Sequence, residues 1–193
     1  MPTVNFLSAV SLRRCFLLLS LSLLPFLICA QSFPDAWTGR YTGLMTVENA
    51  GQPALKIAVS LTIETLEADS LWTHRMVYYA SKQYPEITKD YLLRAAVRGD
   101  TINYELDEQN GIVMELTYLG DCFYGMYTVL GTTYITTLRR LPDGQLLWDL
   151  FAAPESSRRE SETEMGPPED RQPVRVEGLK PSLHQTVFLR KFG

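Results

Sequence analysis

The chain has 193 residues, 18 Lys and Arg against 22 Asp and Glu, a net charge of −4, two histidines and three cysteines. An acidic balance argues against nucleic acid as a partner, because non-specific binding to phosphate needs a basic surface. Beyond the N-terminal run described next, no segment approaches the ~20 apolar residues that a spanning helix requires.

Residues 1–30 have the order of a signal peptide. Arg13 and Arg14 supply the positive region, Phe16 to Ile28 the apolar core, and Ala30 the small residue before the polar Gln31 and Ser32. A retained membrane anchor is the rival reading, but Pro25 interrupts the run. Lipid attachment at Cys29 is another, although Ile28 stands where a small residue is wanted. Cleavage removes Cys15 and Cys29 and leaves Cys122 alone, so no internal disulfide can form. It also leaves 16 basic against 22 acidic residues, a net charge of −6. The expected location is secreted or periplasmic, with no transmembrane segment in the mature chain.

From Trp37 to Phe151 the chain reads as strand after strand. Leu55, Ile57, Val59, Leu61 and Ile63 alternate with Lys56, Ala58, Ser60 and Thr62, which marks a strand with one wet face. Trp72, His74, Met76 and Tyr78 share one face of the next run. Period two continues through Tyr91–Val97, Ile102–Leu106 and Ile112–Tyr118, then through 122–130, 132–139 and 145–151. Asn49-Ala50-Gly51, Arg98-Gly99-Asp100, Asn110-Gly111, Gly120-Asp121 and Asp143-Gly144 punctuate these runs as hairpin turns. Ser81 to Asp90, holding Tyr84-Pro85, is the longest interruption and reads as a loop or a lid over a barrel mouth.

The fold class is therefore all-β: an antiparallel up-and-down meander of about 8–10 strands. A meander that long must close or fold over to remove its edges, and sequential hairpins favour a closed barrel over a sandwich. The barrel domain is placed at 31–152. Residues 153–193 begin with a charged, proline-rich stretch that offers little to bury, and are expected to be largely disordered. The apolar and basic residues from Val174 to Phe192 could dock back on the barrel, serve as an arm for an envelope protein partner, or fray, and a poorly ordered tail is the expectation.

Trp37-Thr38-Gly39-Arg40-Tyr41 opens the first strand. It resembles the tryptophan that opens the first strand of lipocalin-like barrels, the calycins. That resemblance implies a barrel base closed by this Trp under an arginine, with Arg139 or Arg140 in that part, and an interior that binds small apolar molecules. The segments around Tyr84-Pro85, Asp90-Tyr91 and Asp107–Ile112 resemble small uncharacterised exported bacterial proteins.

The chemistry-bearing residues are few. His74 is the only histidine in the body; without Cys or carboxylate neighbours at ligand spacing it makes no zinc site. It reads as a hydrogen-bonded interior histidine. Asp107 and Glu108 adjoin the Asn110-Gly111 turn and read as turn-shaping residues. Neither a nucleophile elbow nor a phosphate-cradling loop is present. No catalytic residue, metal site or cofactor is assigned, and Cys122 reads as structural. The inward faces carry Trp72, Tyr78, Tyr104, Tyr118, Phe123, Tyr127, Tyr134 and Trp148. These rings either fill the barrel or line a pocket. The candidate ligand-binding set is Trp72, His74, Tyr78, Tyr104, Tyr127 and Trp148, for a small apolar or aromatic ligand held non-covalently. The alternatives are an interaction module with a filled core and no ligand, and an enzyme using His74 with a tyrosine as acid and base.

Overall fold

The computed structural model describes residues 33–192 apart from 35, 83 and 168. The signal peptide expected over 1–30 lies outside them. Ten strands form a closed antiparallel barrel. In chain order these are β1 (Gly39–Asn49), β2 (Leu55–Ile63), β4 (Leu71–Tyr78), β5 (Ile87–Ala95), β6 (Asn103–Asp107), β7 (Val113–Tyr118), β8 (Cys122–Val129), β9 (Thr132–Arg140), β10 (Leu146–Pro154) and β13 (Leu183–Lys191). A three-residue strand β3 (Thr65–Glu67) adds to β4, while β11 (Arg159–Met165) and β12 (Gln172–Gly178) pair only with each other. Each barrel strand pairs with its predecessor, β13 pairs with both β10 and β1, and β2 pairs with β4 to complete the ring. This is a lipocalin-like up-and-down barrel, and closure satisfies the strand edges that an open sheet would leave bare.

The alternation read from the sequence sets which side chains enter. Trp72 and Met76 on β4, Leu93 on β5, Tyr104 on β6 and Leu116 on β7 are buried. So are Phe123 on β8, Leu138 on β9, and Leu146 and Trp148 on β10. Arg75, Glu115 and Tyr124, one residue out of phase, are exposed. A shift of one residue would exchange these sets, so burial fixes the register.

The C-terminal segment departs from expectation. The barrel does not end at residue 152, and 153–193 is not a disordered tail. β13 fills the gap between β10 and β1, with Leu146 opposite Leu189 and Val47 opposite Gln185. Val187 and Leu189 are among its buried residues, at 1% and 0% exposure. The end of the segment from Val174 to Phe192 is therefore a barrel strand rather than a free arm: Val187 and Leu189 belong to the core, while Val176, Phe188 and Phe192 are exposed. The charged stretch before it forms the β11–β12 hairpin. Every residue of β11 is exposed. Ion pairs lace the hairpin: Arg158 with Glu155 and Glu177, and Arg175 with Glu160. Ladder bonds and charge hold a two-stranded ribbon with nothing buried, a combination that burial-based reasoning does not find. Such exposed pairs add little, because solvent screens them and ordering two long side chains costs entropy.

Two smaller differences concern loops. β5 begins at Ile87, so the interruption after β4 is shorter than Ser81–Asp90. The loop is tied down at Tyr84, whose hydroxyl donates to the Lys56 carbonyl at 3.2 Å. The Asn110-Gly111 turn does join β6 to β7, but as a wider loop in which Gln109 and Gly111 take positive φ (60° and 97°).

Closure needs one glycine for its lack of a side chain. Gly43 lies in β1 where the β1–β13 ladder breaks off after Thr42 and resumes at Thr46. A Cβ at Gly43 would sit 2.5 Å from the Phe188 carbonyl oxygen and 2.6 Å from Val187 Cγ2. Backbone cannot yield as a flexible side chain can. Gly43→Val is therefore expected to force the closing seam apart and destabilise by about 3 kcal/mol, at the upper end of ordinary overpacking. A urea midpoint unchanged from wild type would show that the seam tolerates the added atoms.

Candidate functional site

The barrel is packed at one end and hollow at the other. At the packed end the chain before β1 folds inward, and Phe33 and Trp37 meet the rings of the wall. Phe33 lies 4.7 Å from Trp72, 5.4 Å from Tyr104 and 5.0 Å from Phe123, all edge-on. Trp37 lies 5.3 Å from Phe123, also edge-on. Edge-to-face pairs add to the area they bury. Tyr41 donates its hydroxyl to the Trp37 carbonyl at 2.9 Å, and the Phe33 amide donates to the Tyr118 hydroxyl at 3.3 Å. Trp37 is thus at the base that the calycin resemblance implied. Of the two arginines, Arg139 bonds outward to the Tyr124 hydroxyl at 2.7 Å. Arg140 shares the inward-facing phase of Leu138, and its charge acts on Tyr41.

Above this plug is a cavity of about 380 Å³. Apolar wall comes from Met76, Leu106, Met114, Leu116, Val129 and Leu150; rings come from Tyr78, Tyr91, Tyr127, Tyr134 and Trp148. Tyr127 and Tyr134 stack on adjacent strands at 5.4 Å and 17°. A smaller void of about 40 Å³, room for roughly one water-sized group, shares His74, Leu116, Thr136 and Trp148 with the main cavity and ends on Phe123 and Leu93. The main cavity, at about 380 Å³, falls within the ordinary range for small-molecule sites, about 300–1,000 Å³.

The polar groups are graded from rim to floor. Lys89 is exposed, and its ammonium stands 5.8 Å from the centre of the Tyr91 ring. Tyr91 donates to Glu108 Oε1 at 2.7 Å, while Asn110 Nδ2 donates to Glu108 Oε2 at 3.1 Å. Burial raises the Tyr91 phenol, and the bond to Glu108 raises it further. Burial likewise pushes Tyr78 up to about 12 and raises Tyr127. These phenols stay neutral and remain hydrogen-bond donors.

His74 lies deeper, between the main cavity and the small void. Burial pushes its imidazole down to about 4, opposed in part by its own backbone group. The ring is neutral near pH 7. Its Nδ1 is enclosed and has no hydrogen-bond partner, so His74 is interior as expected but is not the hydrogen-bonded histidine that the sequence suggested. The accessible surface that His74 retains belongs to the cavity it lines. Thr136, which lines the same two spaces, spends its hydroxyl proton on the Asp149 carbonyl at 3.3 Å.

The six residues expected to hold a ligand therefore divide. His74, Tyr78, Tyr127 and Trp148 line the cavity together. Trp72 and Tyr104 do not: both belong to the plug, where Phe33 covers them. The rings expected to fill the barrel or line a pocket do both, at opposite ends. Tyr91, Lys89, Glu108, Thr136 and Gln185 were missing from the set. For Tyr91 and Lys89 the signal was present, since period two carried back from Leu93 puts both inside. Glu108 looked like part of the turn, and Gln185 lay in the segment read as disordered. His184, in that same segment, bridges strands on the barrel's outside, with Nδ1 3.3 Å from Glu48 Oε2 and Nε2 3.2 Å from Asp149 Oδ1. Cys122 is buried, and burial raises its thiol.

No protein-family model matches the chain, and no curated protein matches it in sequence. Its fold is similar to solved structures. An S-type phycobiliprotein lyase from Guillardia theta aligns with a TM-score of 0.55 at 9% identity, covering 82% of this chain and 90% of the lyase. A protein of unknown function from the DUF3598 family of Nostoc punctiforme aligns with a TM-score of 0.53 at 7% identity, covering 82% of this chain and 48% of that protein. At such identities the likeness is one of fold, in agreement with the barrel described above.

Proposed function

We propose that this chain is an exported barrel that binds one small, partly apolar ligand non-covalently in its open half. The observation that carries this reading is the division of the interior. A barrel built only as a scaffold has no reason to pack one end with edge-on rings and leave about 380 Å³ at the other, lined by aromatic and apolar side chains. Phenols at the rim, a neutral imidazole deeper in and a single rim lysine would fix the ligand's orientation. The similarity to a phycobiliprotein lyase is consistent with this use of the fold but transfers no ligand. The interaction-module alternative loses the C-terminal segment as a free arm, since β13 is committed to the barrel.

The test is native mass spectrometry of the secreted protein from its own host, beside fluorescence titration with apolar probes. The expected result is a small-molecule adduct that leaves on denaturation. Thr136→Phe, which puts a ring between the main cavity and the small void, is expected to emerge without the adduct and with an unchanged far-ultraviolet spectrum. Trp148 lines the cavity while Trp37 and Trp72 lie in the plug, so a bound ligand is expected to change Trp148 emission and Trp148→Phe to abolish the change. A protein that leaves its host without an adduct, and whose emission no probe alters, ends the reading.

A further inference from the structure

The inner end of the cavity has a definite hydrogen-bonding character. Three polar side chains reach it: His74, Thr136 and Trp148. His74 is neutral, so one ring nitrogen carries a proton and the other a lone pair. Its Nδ1 is enclosed and has no hydrogen-bond partner. Nε2 is not enclosed in this way and bonds no protein group, so it is the ring nitrogen open to the cavity, donor or acceptor according to the tautomer. Thr136 has given its proton to the Asp149 carbonyl and can only accept. Trp148 completes the same wall.

Charge is excluded from this end. The charged side chains on the wall are Lys89 and Glu108, and both belong to the rim. A carboxylate pushed inward would be desolvated with no cation beside it, at a cost of several kcal/mol. An apolar inner end would leave the open imidazole nitrogen covered and unpaired, which is also unfavourable.

We infer that the cavity is specific for a neutral aromatic molecule that enters hydroxyl first, its hydroxyl pairing with His74 Nε2. A hydroxyl suits this wall better than a bare N–H because it can donate to Nε2 or accept from it, whichever tautomer the ring takes, and in the second case can still donate to Thr136. The stacked pair Tyr127 and Tyr134 offers a flat surface for the ring that follows. The inference rests on the cavity being a ligand site, and its test separates the two.

Three probes of nearly equal shape are titrated calorimetrically into the full mature protein: 2-naphthol, 2-methylnaphthalene and 2-naphthoate. An apolar pocket without a partner for the hydroxyl would favour the methyl compound, which loses less hydration. The expected order is 2-naphthol tightest, by about tenfold over 2-methylnaphthalene, with 2-naphthoate weakest. In His74→Leu the first two are expected to exchange places, and His74→Gln, which restores an acceptor, is expected to recover part of the preference. If 2-methylnaphthalene binds wild type as tightly as 2-naphthol, or 2-naphthoate binds tightest, the hydroxyl assignment is overturned while the cavity stands as a binding site. If none of the three binds, the cavity reading falls and this inference with it. The wild-type comparison decides the matter even if a His74 variant fails to fold.

Discussion

A chain ending at Ala152 is expected not to fold. The missing part includes β13, which pairs along its length with β10 and at both ends with β1. Its removal exposes the inner sides of those strands and strips the core of Val187 and Leu189. Each of these buried side chains is worth about 1.5–3 kcal/mol, before counting the ladder hydrogen bonds and the two new sheet edges. Against a typical domain stability of about 5–15 kcal/mol, the sum of these losses is decisive. Excising only the β11–β12 hairpin is expected to do little. The hairpin lies outside the core, and its two ends are already close, with the Lys180 amide donating to Ser157 Oγ at 2.9 Å. A short Gly-Ser link in place of 159–178 would bridge them. Urea unfolding followed by circular dichroism checks both. A cooperative transition in the chain ending at Ala152, near the wild-type midpoint, would contradict the observed closure.

The second large effect is a loss of stability in acid traceable to one imidazole. Burial lowers His74 from its ordinary value of 6.5 to about 4. Between those values the unfolded chain binds a proton that the folded chain refuses. Stability therefore falls as pH drops below about 6.5, and this contribution is fully lost once pH passes below about 4. A shift of that size corresponds to about 3 kcal/mol. Asp100, Asp143 and Glu155, each held low by hydrogen bonds, act in the same direction. The informative quantity is therefore the difference between wild type and His74→Phe across the pH range. The variant is expected to lose the part of the slope between about pH 6.5 and 4 and keep the rest. Parallel stability curves would mean that His74 is not enclosed as the structure places it.

Much of the architecture was legible in the sequence, because a barrel strand has to alternate to keep one face dry. The runs around Ile57, His74, Leu93 and Tyr104 carry that alternation plainly, and turn residues separate them. The strand β13 was harder to read. Its inward positions, Leu183, Gln185, Val187 and Leu189, do alternate with His184, Thr186, Phe188 and Arg190. But a glutamine points in and a phenylalanine out, and a charged stretch precedes the run. Local composition therefore argued against a strand that long-range pairing imposes. The β11–β12 hairpin was illegible for the opposite reason: it has no buried face to leave a pattern.

The candidate site divided along the same line. Periodicity determined which rings point inward, and so brought His74, Tyr78, Tyr127 and Trp148 to the interior without any structure. Height along the barrel axis leaves no mark in a period-two pattern, since every second residue looks alike from the base to the mouth. Only the tertiary structure decided that Phe33 folds back beneath Trp72 and Tyr104, making them plug rather than pocket. It alone brought Glu108 and Gln185 to the cavity from distant segments. The sequence by itself determined an all-β chain with an aromatic interior, because alternation is local. Where that interior is filled and where it is open depended on how strands far apart in sequence close around it.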